Sequence, residues 1–128
     1  MPEYDGNLFN PPAPVAYVTL QNPDNNIEIE NVPMLIDTGS DATLILQFVV
    51  KNLQLDLSNT KTYETEAFNG AISQSSVVRV QMIFLKKHFR GKFLTVAQDY
   101  GIIGRNILNQ LTLLFDSKNL RWEEVGLK

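Results

Sequence analysis

Apolar residues in this chain almost never recur at the i, i+3, i+4 spacing of an amphipathic helix. They come instead in short runs of β-branched, leucine and aromatic residues, each ended by proline, glycine or an Asn/Asp cluster. That punctuation favours strands and tight turns, so the expected fold is all-β. Val15 to Leu20 reads as a strand, Asn22-Pro23-Asp24-Asn25-Asn26 as a turn, and Ile27 to Val32 and Met34 to Ile36 as two further strands. Tyr63 to Phe68 and Ser75 to Phe84 read as the arms of a hairpin about Asn69-Gly70-Ala71, because Asn-Gly is the strongest short-range turn signal. Phe89 to Ala97 gives another strand and Asn106 to Gln110 a short helix. Leu111 to Phe115 and Leu120 to Val125 flank a turn at residues 116–119 and make a last hairpin. Ile45 to Asn52 mixes helical and strand character, with a strand expected after it near Leu53 to Leu57.

A chain of 128 residues, 44% of them hydrophobic, can bury one sizeable core and is too short for two ordinary domains. Residues 1–14 are polar and broken by Pro2, Pro11, Pro12 and Pro14, the composition of an arm or linker, which leaves residues 15–128 as the domain. The absence of cysteine excludes disulfides, thiolate zinc sites and cysteine catalysis. A net charge of −3 argues against a nucleic-acid surface. Lys86-Lys87-His88-Phe89-Arg90, the one basic cluster, reads as a solvated hairpin end, with a docking patch as the alternative. No apolar run reaches the ~18 residues of a membrane span, and no basic-then-apolar leader is visible. A soluble, cytoplasmic chain is therefore expected, with a larger or anchored precursor left open.

The chemistry begins at Met34-Leu35-Ile36-Asp37-Thr38-Gly39-Ser40, where an apolar strand runs straight into an acidic tight turn. An isolated aspartate, with a pKa of about 3.9, is ionised near neutral pH and has no proton to give. Two carboxylates about 3 Å apart cannot both ionise, so they share a proton and supply an acid and a base together. The chain has one such turn. A symmetric partner, bringing Asp37 of each copy to a two-fold axis, is the simplest source of the second. Gly39 keeps space open beside the carboxylate, because a Cβ there would fill it. A Ser40 hydroxyl donating to the carboxylate would favour its ionised form and shift the pH optimum to acid.

Together with Gly101-Ile102-Ile103-Gly104-Arg105-Asn106-Ile107-Leu108, this turn resembles the retropepsin-like aspartic proteases, in which an Asp-Thr/Ser-Gly turn closes an apolar strand and an apolar-apolar-Gly-Arg segment opens a late short helix. The likeness extends over roughly residues 14 to 125. It implies a closed, mostly antiparallel barrel with one short C-terminal helix and a flap hairpin over the substrate, a short helix within residues 45–52, and a homodimeric endopeptidase using no metal or other cofactor. The resemblance makes Asp37, Thr38 and Gly39 the catalytic turn, with the Thr38 hydroxyl bonding across the dimer. Ser40, Asp41, Gly104 and Arg105 would support it, Asp41 pairing with the Arg105 guanidinium and Gly104 permitting close packing beneath the turn. Leu35, Ala42, Leu44, Gly70, Ala71, Ile72 and Ile102 match substrate-binding positions for an extended peptide with apolar residues at the cleavage site. Relatives that continue past the helix build their dimer from C-terminal hairpins, which places Leu120 to Val125 at the interface. Trp122 would either join that interface or cap its own barrel. The rival reading is a catalytically idle peptide-binding or dimerisation module of the same fold.

Other chemistries lack their residues. His88 is the single histidine, and no Gly-x-Ser-x-Gly elbow, phosphate-cradling glycine loop or spaced set of metal ligands occurs.

Overall fold

Alternation of buried and exposed side chains sets the strands, and their pairing closes them on themselves. In the computed structural model, residues 2–55, 62–66 and 72–126 are described, the 62–66 and 72–75 segments by backbone alone. The strands are β1 Tyr4–Asp5, β2 Ala13–Gln21, β3 Glu28–Ile36, β4 Leu44–Leu46, β5 Thr62–Glu66, β6 Ile72–Phe84, β7 Lys87–Val96, β8 Gly101–Ile103, β9 Leu113–Asp116 and β10 Arg121–Glu124. Helix α1 spans Gln47–Asn52 and α2 spans Arg105–Leu108. The large sheet runs β1-β2-β3-β8-β4-β7-β6-β5, and a further β2–β6 pairing joins its ends, so β2, β3, β8, β4, β7 and β6 form a closed barrel. Most pairings are antiparallel; β3 with β8 and β4 with β7 are parallel.

Inward residues of these strands make one core. Val18, Leu20, Met34, Ile36, Ile45, Val80, Met82 and Ile103 are all 5% exposed or less, and Val49 and Leu53 close one end from α1. Trp122 is 2% exposed, with its ring 6.1 Å from that of Phe84, so it caps its own barrel.

Some sequence expectations shift in the structure. The two strands expected at 27–32 and 34–36 are one, β3, which carries a left-handed residue at Asn31 (φ 58°) opposite a register slip between Val18 and Leu20. A bulge of this kind bends a strand without ending it. The strand expected to follow α1 does not start at 53–55. Leu53 N–H donates to Val49 O at 2.8 Å and Gln54 turns left-handed (φ 55°), while Asn22 Nδ2 donates to Leu53 O at 2.9 Å, so these residues cap the helix. The apolar alternation there reflects burial of Leu53 under the barrel rather than strand pairing. The Asn69-Gly70-Ala71 tip lies outside the described residues, but the β5–β6 hairpin it joins is paired from Thr62↔Ser76 to Glu66↔Ile72.

The proline-broken start of the chain is tied down. Tyr4 and Asp5 pair with Pro14 and Ala13, Tyr4 N–H donates to Leu120 O at 2.8 Å, and Trp122 N–H donates to Pro2 O at 3.0 Å. The Tyr17 hydroxyl donates to Asp5 Oδ2 at 2.6 Å, and Asp5 Oδ1 accepts from the N–H groups of Asn7 and Leu8. The Tyr17 hydroxyl, with the Leu8 and Asn7 amides, holds the Asp5 carboxyl below the ordinary aspartate range, and the Asp5 carboxylate raises Tyr17 above the ordinary tyrosine range. For a lowered carboxyl pKa, the stabilisation is complete above the unfolded value and is lost as pH falls through the folded one. For the raised tyrosine, it is complete below the unfolded value and is lost as pH rises through the folded one. Acid below the ordinary aspartate range is therefore expected to loosen this tie, read as faster hydrogen exchange of the Asn7 and Leu8 amides. Asp5→Asn should remove that acid dependence, and exchange rates equally pH-sensitive in both proteins would count against the tie.

Candidate active site

Two segments far apart in sequence are brought side by side by the parallel pairing of β3 with β8, which sets Met34 against Gly101, Leu35 against Ile102 and Ile36 against Ile103. The pairing runs one step past the strand, with Asp37 N–H donating to Ile103 O at 3.1 Å. The chain then turns, Ser40 N–H donating to Asp37 O at 3.2 Å and Gly39 N–H to Asp37 Oδ1 at 2.9 Å. Asp37 is half-buried, and its carboxylate has this backbone donor as its partner among the described residues. A Cβ on Gly39 would stand 3.1 Å from Asp37 Oδ1, so glycine keeps that side of the acid clear.

The turn is mounted on the Gly104-Arg105 segment. Arg105 N–H donates to Ser40 O at 2.8 Å, and Gly104 N–H donates to the Thr43 hydroxyl at 3.1 Å. Gly104 lies directly beneath the loop, where an added Cβ would be 2.2 Å from Ala42 O and 2.9 Å from Ser40 O. Arg105 Nη1 donates to Thr38 O at 2.8 Å.

Two expected contacts are replaced by others. Asp41 and Arg105 do not pair: the ion pair found among the described residues is Lys87 with Glu124. Asp41 and Arg105 are both exposed, and the guanidinium instead reaches the Thr38 carbonyl, gaining a charge-assisted bond to backbone that is already fixed. The Ser40 hydroxyl is also spent elsewhere, donating to Ala42 O at 2.7 Å rather than to Asp37, so the argument from Ser40 to an acidic optimum loses its contact. Arg105→Met keeps an unbranched stem of similar bulk and removes the guanidinium end that bonds to Thr38 O. With the group exposed, a loss of about 1 kcal/mol is expected in denaturant unfolding; no loss would show that the bond adds nothing.

Sequence reasoning missed Thr43. Its side chain is 1% exposed, its hydroxyl donates to Asn106 Oδ1 at 2.7 Å and accepts from Gly104 N–H, and so it ties the loop after Asp37 to the start of α2. A lone hydroxyl entering the apolar run Leu44-Ile45-Leu46, with Asn106 directly after Gly104-Arg105, was the available signal.

Leu35, Ile102 and Leu44 lie in register across β3, β8 and β4, half-buried on the side of the sheet opposite the fully buried Met34, Ile36, Ile45 and Ile103. Leu94 and Val77 continue that half-buried row onto β7 and β6. Ala42 is half-buried beside Gly104. The backbone of Ile72 begins β6, whereas Gly70 and Ala71 lie outside the described residues. Thr38 is exposed at the crest of the turn. No group of side chains among the described residues is arranged to hold a metal ion.

No family model matches the chain, and no curated protein matches it. Among solved structures it is similar to EIAV protease complexed with the inhibitor HBY-793, at a TM-score of 0.56 and 19% identity, over 77% of this chain and 86% of that one. The fold is retropepsin-like. At that identity the likeness speaks for the fold alone, and it fits the closed barrel with its two parallel ladders, β3 with β8 and β4 with β7. In this retropepsin-like barrel the acidic turn stands at the end of β3, where the ladder with β8 runs out.

Proposed function

We propose that the chain is an aspartic endopeptidase that works as a homodimer on extended peptides. The observation that carries this reading is the mounting of Asp37: a half-buried carboxylate on a tight turn, cleared by Gly39 and braced from below through Gly104, Thr43 and Arg105. A turn held this firmly fixes an acid in place, and fixed geometry is what a general acid or base needs. In the dimer, Asp37 of each copy would share one proton across the two-fold axis. One carboxylate takes a proton from a water as it attacks the scissile carbonyl, and the other donates to the carbonyl oxygen. The titration then belongs to the pair rather than to either residue.

Support for a second copy lies beside the turn. A recess of about 210 Å³ opens next to Thr38, lined by Arg105, Leu108, Leu111, Leu113 and Phe115. Leu114, Phe115, Leu120 and Val125 of the β9–β10 hairpin and its flanks are all at least 36% exposed, a concentration of apolar surface that favours association. The buried Trp122 takes no part in that surface. The half-buried row of Leu35, Ile102 and Leu44 would line the bed for apolar substrate side chains, and the β5–β6 hairpin would close over it as a flap, the peptide adding its backbone as a strand. No helix among the described residues is long and apolar enough to cross a membrane.

The test is incubation of purified chain with unstructured peptides from pH 3 to 7, with and without a statine-type inhibitor, alongside sedimentation at micromolar concentration. Inhibitor-sensitive cleavage by a dimer is expected. A chain that stays monomeric with the inhibitor present and cleaves nothing would instead be the idle module.

A further inference from the structure

On the outer face of the β6–β7 pair, basic side chains line up across and along the strands. Arg79 stands opposite Lys92, Gln81 opposite Arg90, and Ile83 opposite His88, with Lys86 in the connecting turn. Arg79, Lys86, His88, Arg90 and Lys92 are all exposed, in a chain whose net charge is −3. None of them forms an ion pair among the described residues. By register, the acids on the same face are Glu28 and Glu30: Gln21 and Gln81 lie between Glu28 and Arg90, and Thr19 and Ile83 lie between Glu30 and His88.

Gln81, 7% exposed, organises this stripe. Its Oε1 accepts from Arg90 Nε at 2.6 Å, and its Nε2 lies 3.0 Å from Gln21 Oε1 and 2.9 Å from His88 Nδ1. Arg90 is thus held through Nε, and its two terminal nitrogens have no protein partner among the described residues. That pair of nitrogens is the fork that takes a carboxylate end-on.

The same segment has an open backbone edge. Strand β4 covers β7 only from Leu94 to Val96, and Leu94 N–H donates to Thr43 O. Main-chain groups alternate sides along a strand, so Lys92, Arg90 and His88 turn their N–H and C=O groups to that same side, beyond the end of β4. No strand among the described residues pairs with them there. Gly91 sits midway. Its backbone is extended and a Cβ on it would meet nothing within 4 Å, so neither conformation nor packing in this chain requires glycine. The missing side chain leaves room for another backbone to come close there. Around it lies a cavity of about 350 Å³ between β7 and the Asn106, Ile107 and Gln110 side of α2.

We propose that the β7 edge at His88 to Lys92 is a docking groove for an extended acidic segment of a partner protein, which adds as a strand beside β7 and sets carboxylates opposite Arg90 and Lys92. Cations on alternate residues recur roughly every 6.8 Å along the strand, the repeat of alternate acidic side chains on an added strand. The open N–H and C=O groups are satisfied by a peptide backbone, and a nucleic acid has no ladder to offer them. This groove is separate from the Asp37 turn and does not depend on catalysis there.

The experiment uses the ¹⁵N-labelled full chain carrying Asp37→Asn, so that no probe is consumed, with a statine-type inhibitor present. The probe is an acetylated heptapeptide of alternating valine and glutamate, compared with its valine–lysine counterpart and a single-stranded oligonucleotide. The acidic peptide is expected to shift the His88, Arg90 and Lys92 amides, slow their hydrogen exchange and bind more weakly as salt rises. Adding the exposed double change Arg90→Glu and Lys92→Glu should weaken binding by about tenfold or more. No binding, equal binding by the double variant, shifts centred on Leu35 and Ile102, or preferential binding of the oligonucleotide would each overturn the proposal.

Discussion

Alanine in place of Gly104 is expected to lower the unfolding free energy by more than about 3 kcal/mol. The added Cβ would stand 2.2 Å from Ala42 O, 2.6 Å from Ala42 C and 2.9 Å from Ser40 O. These are backbone atoms, so no side chain can swing aside to relieve the contact. The loop would have to lift, and lifting it stretches the bonds from Gly104 N–H to the Thr43 hydroxyl and from Arg105 N–H to Ser40 O. Gly91→Ala is the matched control, because its Cβ meets nothing and its expected change is within about 0.5 kcal/mol. Urea midpoints of the two variants measure the contrast. A Gly104→Ala midpoint as high as that of the parent chain would mean that the loop does not cross Gly104 so closely.

Asp37→Asn is expected to leave the fold intact and to reduce peptide cleavage by about 10³-fold or more. Asparagine has the same shape, and its Oδ1 can still accept from Gly39 N–H, so the thermal midpoint should barely move. What disappears is the group that takes and gives a proton. The proposed two-fold site adds a sharper outcome. Mixing parent chain with excess Asp37→Asn should depress the parent's activity, because mixed dimers carry one carboxylate where two are needed. Activity that survives such mixing after subunit exchange, or equal cleavage by the variant alone, would remove Asp37 from the chemistry.

How far the sequence could be read depended on whether a feature was local. Strand-length apolar runs and turn clusters are local, and from them the all-β class, the β5–β6 hairpin and the last hairpin were legible. The short helix at the Gly-Arg segment was legible too, though it starts at Arg105 rather than Asn106 and ends at Leu108 rather than Gln110. Bond partners inside the loop were not. Whether the Ser40 hydroxyl meets Asp37 or Ala42 O, and whether Arg105 meets Asp41 or Thr38 O, depends on a few ångströms of loop path that residue types do not specify. Leu53 misled for a related reason. Its apolar spacing fits a strand and a helix cap alike, and the bond from Asn22, far back in the chain, decides for the cap. The proline-rich start read as an arm because its composition lacks strand signals, yet Tyr4 and Asp5 pair with β2 through backbone groups that composition does not report.

The mounting of Asp37 by Ile103, Gly104 and Arg105 also orders events in time. Its parts are synthesised about half a chain apart, and closing so long a loop costs entropy that only the finished barrel repays. A nascent polypeptide that has emerged only as far as β7 already carries the acid but has nothing to seat it. The proposed cutting tool is thereby kept blunt until β8 and α2 have followed β7 out of the ribosome.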